Sequence, residues 1–162
     1  MDQNKKGSNA DLGSILKTIE DNLDLYLGKK APQLPESGKE ILVKIAPYLA
    51  LIGVIIGIPA VLAILGMGAF LAPIGIVGGI ASGQPLWGFS FILNIIFLIV
   101  NLVLEALAIP GLFKRAKSGW QYLYYAALIG AVYNLITFNI GGLIIGGLLS
   151  MYLLFQVRSF YK

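Results

Sequence analysis

The chain of 162 residues contains no cysteine and no histidine. Without thiols there is no disulfide, no thiolate metal site and no thiol nucleophile, and the redox character of the compartment leaves no trace. Without imidazole the commonest transition-metal ligand and the commonest general base are both missing, which removes most hydrolase and metalloenzyme mechanisms. Charge is scarce too. Asp, Glu, Lys and Arg make up 12% of the residues and hydrophobic ones 57%, whereas soluble domains carry about 25% charged residues. Such a composition belongs in a bilayer. No Gly-rich segment ends in the Gly-Lys-Ser or Gly-Lys-Thr of a phosphate loop. No enzymatic activity, catalytic residue, cofactor or metal site is therefore expected.

The few charges are not spread evenly. Residues 1–44 hold seven Lys and seven acidic residues, Lys114, Arg115 and Lys117 form a basic loop, and Arg158 and Lys162 close the chain. Basic residues beside apolar runs orient membrane spans and meet anionic headgroups, so the formal charge of +4 points to membrane lipids and not to nucleic acid.

The longest informative run is 88–109, which carries four polar residues, Ser90, Asn94, Asn101 and Glu105, and is closed by Pro110. It is long enough to cross a bilayer. At ~100° per residue the four polar residues fall within roughly 60° of one another, forming an intramembrane polar stripe. Groups of this kind are costly in hydrocarbon, so the stripe must face other helices or a cavity.

The remaining segments arrange themselves around that span. Residues 1–10 predict a disordered tail without a secretory signal, and 11–28 an amphipathic cytoplasmic helix with Gly28 as its C-cap. With four acids and one Lys that helix should prefer a protein surface to anionic lipid, either its own bundle or a separate partner. Residues 29–37 read as a Pro-rich linker, and Ser37 with Glu40 as a capping box opening the transmembrane bundle, 38–162. Spans are expected at about 45–66, 88–109, 119–138 and 141–157. The apolar stretch 67–87, broken by Pro73 and Pro85, reads as an outer loop or a re-entrant segment. Were it a further span, the N-terminal lysines and the basic loop would fall on opposite sides of the membrane. Both termini are thus expected in the cytoplasm. Trp87 and Trp120 would mark the outer and inner headgroup levels. Gly53, Gly57, Gly130, Gly142 and Gly146 are the expected helix-packing positions, because small residues let backbones approach in lipid.

The stretch Ala108–Tyr125, the ending Tyr152–Lys162 and the leader Lys-Ala-Pro-Gln-Leu-Pro beginning at Lys30 resemble a group of small uncharacterised bacterial four-span membrane proteins. That resemblance implies a bacterial inner-membrane location and brings no activity and no site residues.

The expected fold class is thus all-α, a four-helix transmembrane bundle with an N-terminal cytoplasmic amphipathic helix. Glu105, about one turn from the cytoplasmic end of its span, is expected to pair with Lys114, Arg115 or Arg158 as a structural ion pair. The expected function is a structural or scaffold protein, a packing or assembly subunit that forms a homo-oligomer or joins another membrane protein. The alternative is a small oligomeric channel or transporter that uses Ser90, Asn94, Asn101 and Glu105.

Overall fold

The computed structural model describes residues 12–81 and 87–162, and every regular element within them is helical. α1 spans Leu12–Leu23 and runs on through wider, π-type turns over Asp24–Lys30. It overruns Gly28, where a C-cap was expected. The glycine there serves close approach, because a Cβ would come within 3.1 Å of Asp24 Oδ1 and 3.6 Å of the Phe155 carbonyl.

α2 begins at Glu36 and continues unbroken to Ala81. Ser37 is thus inside the first turn, and the start is tied instead by a Lys39–Glu36 ion pair at 3.2 Å. The stretch expected to leave the helix after residue 66 stays helical as far as Ala81. In a setting without water the backbone gains nothing by unwinding, and Pro and Gly are tolerated in apolar helices. The remainder of that stretch, at 82–86, lies outside the described residues.

α3, Trp87–Phe113, passes through Pro110, the expected stop, by one further turn, and α4 covers Lys117–Ile136. α5 runs over Ile140–Phe160, with π-type turns at Leu143–Leu149. α3 and α4 end alike. Ala116 N donates to the Gly111 carbonyl at 2.8 Å and Arg115 N to Leu112 at 3.1 Å; Asn139 N donates to Asn134 at 2.8 Å and Phe138 N to Leu135 at 3.2 Å. Both are Schellman closures, with Arg115 (φ 51°) and Phe138 (φ 53°) in the left-handed position that glycine usually takes. Asn139 then caps α5 by accepting from Gly142 N at 2.9 Å.

α2 to α5 lie side by side with alternating direction. Gly53 faces Glu105 and Gly57 faces Leu102; Gly111 meets Gly119 so closely that a Cβ on either would fall on the other's backbone; Gly147 meets Ala131. Three helices are long and apolar enough to cross a membrane: Glu36–Gly68 within α2, Ile92–Phe113 within α3, and Ile140–Phe160. Their outward faces are covered with residues such as Ile52, Ile56 and Leu62 on α2 and Ile92, Ile96 and Val103 on α3, all exposed. An apolar surface of this extent fits contact with lipid. α4 falls short of the others because Lys117, Gln121, Asn134 and its four tyrosines lower its hydropathy. Trp120, Tyr124, Ala126 and Gly130 are buried there.

The core gathers at the end of the bundle that carries the basic loop. Val43, Ala108, Leu112, Trp120, Tyr124 and Phe155 form its centre. Trp120 is 1% exposed, stacks on Tyr124 at 5.4 Å, and donates through Nε1 to the Leu154 carbonyl at 2.7 Å.

Candidate functional site

One polar cavity lies within the bundle and another where α1 meets the end of α5. The first, about 470 Å³, lies among all four bundle helices. Spacing on α3 places Phe97, Asn101 and Glu105 on one face at successive intervals of four residues, which a helix stacks one above the other. All three line the cavity. From α4 come Gly130 and Asn134, and from α5 Gly146 and Ser150, with Leu49 of α2 and further Leu and Ala side chains completing the wall.

Glu105 lies against α2, its Oε2 3.0 Å from where a Cβ on Gly53 would stand. Among the described residues neither a cation nor a hydrogen-bond donor reaches its carboxylate. The neutral polar groups around it are held by their own helices. Asn101 Nδ2 donates to the Phe97 carbonyl at 3.5 Å, Asn134 Nδ2 to Gly130 at 2.8 Å, and Ser150 Oγ to Ile145 at 3.4 Å. The last bond spans five residues, a consequence of the π-type turns in α5 that bring Ser150 round to the cavity.

The expected ion pair of Glu105 with Arg158 is therefore corrected. Arg158 is taken at the second cavity, where NH2 binds Glu20 Oε1 and NH1 binds Asp24 Oδ1 at 2.9 Å. The guanidinium also lies 5.1 Å over the Trp120 ring. α1 brings two acids to one arginine, and that arrangement satisfies Arg158 from outside the bundle. Burial would raise the Asp24 carboxyl, but the Arg158 and Lys29 charges beside it hold it below the usual carboxylate range. Lys114 and Arg115 are exposed at the turn, and Lys117 lines the second cavity, about 480 Å³ in volume. None of the three basic-loop residues pairs with Glu105.

No protein family, curated protein or solved structure matches this chain.

The predicted stripe is half assembled. Asn101 and Glu105 share the cavity; Asn94 is exposed, two turns before Asn101 and beyond the reach of α4, whose Tyr133 already stacks on Phe97 at 4.1 Å only three residues from its end. Ser90 falls within α3, but its side chain lies outside the described residues. Asn134 and Ser150 complete the polar lining and were not grouped with the stripe. Their own helices gave the signal, a polar residue on an apolar face, but which faces meet is settled only by packing. Of the small residues, Gly53 and Gly57 face α3, Gly130 faces Phe97 and Gly142 abuts Asn134, whereas Gly146 is exposed at the cavity edge and Gly147 makes the close contact.

The second cavity's groups are mutually engaged. Gln156 donates through Nε2 to the Leu27 carbonyl at 2.8 Å and accepts from Leu34 N at 3.1 Å, while Tyr152 donates to the Pro32 carbonyl at 2.6 Å. Residues 152–158 thereby clamp the segment 20–34 onto the end of α5. This is a fastening, and of the charged side chains that line it Lys117 alone has no ion pair among the described residues.

Proposed function

We propose that this is a non-catalytic, multi-pass membrane protein that binds and passes a small positively charged solute at the Glu105 cavity, with α2, α3, α4 and α5 as four spans. The observation that carries this reading is the Glu105 carboxylate, which faces the cavity without a cation. An unpaired carboxylate among apolar walls is costly, so its retention there is explained by a charge that arrives from elsewhere. The scaffold reading leaned on Arg158 neutralising Glu105, and that support is gone.

Four spans place both termini, the basic loop and α1 on the cytoplasmic side, as the Lys and Arg distribution requires. The resemblance to small bacterial four-span proteins supports a location in the inner membrane. Because the chain has no cysteine, single replacements report sidedness cleanly: Lys114→Cys should label from the cytoplasm and Thr137→Cys from outside, and the reverse pattern would invert the topology.

Reconstitution tests the function. Vesicles containing the protein should pass protons, alkali cations or organic cations down an imposed gradient, and Glu105→Gln should abolish the flux at unchanged thermal midpoint. Absence of flux for each of these solutes would favour an assembly role, for which the broad apolar face of α2, with Ile52, Ile56 and Leu62 exposed, supplies a surface for a second copy or another membrane protein.

A further inference from the structure

We infer that the solute of the Glu105 cavity is an amphipathic organic cation, a protonated amine or quaternary onium with an apolar body, and not an inorganic ion. The inference deepens the proposed reading and rests on it. Its first ground is charge. One carboxylate without a partner is matched by one positive charge, and an anion or a dianionic headgroup would meet repulsion.

The second ground is the donor set. Beside Glu105 the cavity offers oxygen from the side chains of Asn101, Asn134 and Ser150 and no second acid. Asn134 is moreover pressed on Gly142 at the helix crossing. Among the described residues no group of three or more acidic side chains could hold a metal ion. A hard cation wants six or so oxygens in a closed shell to replace its water, and this lining supplies fewer on one side only. An onium ion needs no such shell, because its charge is already spread over carbon.

The third ground is the wall. Leu49, Phe97, Leu123, Leu153 and Leu154 surround the polar groups, and the volume of about 470 Å³ suits an organic molecule, since pockets for drug-sized ligands run about 300–1,000 Å³. A bare alkali ion would leave most of it empty.

The fourth ground is the way in. Leu49 is 59% exposed and Gly146 is exposed, so the cavity opens sideways between α2 and α5 to the zone that lipid tails would occupy. A molecule that partitions into the bilayer can enter there without crossing the packed core around Trp120 and Tyr124. A hydrated inorganic ion has no such route. The carboxylate waits where the apolar body of the solute would be stripped of lipid, and its attraction is strong there because water is excluded.

The test uses the full chain purified in detergent, with tetraphenylphosphonium as the probe and equilibrium dialysis as the readout. Saturable binding of one probe per chain is expected, weakened by about tenfold or more in Glu105→Gln, the loss of one charge-assisted contact. Gly146→Leu, which narrows the side opening and leaves the charge untouched, should weaken binding similarly. Lys117→Gln, at the other cavity, should bind as the parent does, and triphenylphosphine oxide, of like shape without the charge, should not compete. Thermal midpoints of all variants separate lost binding from lost fold. Binding that survives Glu105→Gln, or equal competition by the neutral compound, overturns the inference. Proton or sodium flux that depends on Glu105 with no probe binding overturns the ligand class and leaves the cavity as a solute site. No binding and no flux, with Glu105→Gln altering only the midpoint, overturns both.

Discussion

The two polar cavities differ little in volume, about 480 Å³ at the α1–α5 junction and about 470 Å³ inside the bundle, yet they treat charge in opposite ways. At the junction Arg158 has two acids, Lys29 has Asp24 at 3.1 Å, and Lys39 has Glu36. Inside the bundle Glu105 has no partner among the described residues. A site whose acids are all matched internally is spending them on holding the chain together, whereas a site with an unmatched acid keeps its interaction energy for something that comes and goes.

Removing Arg158 would break that contrast most severely. Its side chain is 28% exposed and those of Glu20 and Asp24 are 16% and 20% exposed, so Arg158→Leu strands the largely buried Glu20 carboxylate and leaves Asp24 with Lys29 alone. Stability should fall by about 3 kcal/mol, the scale of breaking a buried pair from one side. Detergent unfolding and protease cleavage within residues 20–34 both report it; a loss of a few tenths of a kcal/mol would mean the junction is ornamental.

Next in size is the small-residue seam between α4 and α5. A Cβ at Gly147 would stand 3.2 Å from Ala131 Cβ, while one at Gly146 meets nothing closer than Asn134 Nδ2 at 3.8 Å. Gly147→Leu should cost about 2 kcal/mol by overpacking. Gly146→Leu should cost much less, since its side chain can extend into the cavity, and comparable midpoints for the two variants would contradict this.

Smaller, and opposite in sign, is the effect of Glu105→Gln. An ion pair lost would lower stability, but here the charge has no partner, so neutralising it should leave stability unchanged or raise it by about 1 kcal/mol, with the thermal midpoint steady or higher. A clear drop would restore the structural ion-pair reading and erase the difference between the cavities.

The least effect is expected from mild acid. Asp24 ordinarily titrates at 3.8 and is held lower in the fold. A carboxyl depressed by folding contributes stability that is fully present above its unfolded value and is lost as pH falls through the folded one. The junction should therefore stay protease-resistant from neutrality down to about pH 4 and loosen only below that. Loosening between pH 5 and 7 would show that another group controls it.

How legible this was from the residues depends on how local each feature is. The 138–141 hairpin could be read because Phe138-Asn139 closes one helix and caps the next within a few residues. The apolar spans were legible through hydropathy alone. The length of α2 was not, because Pro73 and the glycines after residue 66 break helices in water and do not in an apolar setting. The partner of Arg158 was misread for a different reason. Distance along the chain made Glu105 and Arg158 look like neighbours at one membrane level, while the acids that take the arginine come from α1, which only tertiary packing brings there. Asn134 and Ser150 joined Glu105 by the same kind of packing, with Ser150 turned inward by a π-type register that no spacing rule anticipates.

The clamp formed by Tyr152, Gln156 and Arg158 also sets an order of events during biosynthesis. Its bonds join residues 120 to 138 positions apart in sequence, and at ~5–20 residues per second the leading segment emerges roughly 10 s before its anchor exists. Throughout that interval residues 20–34 have nothing to clamp them, and the clamp can close only once α5 has been made. Chains stalled before residue 150 should therefore keep residues 20–34 open to protease, and full-length chains should not.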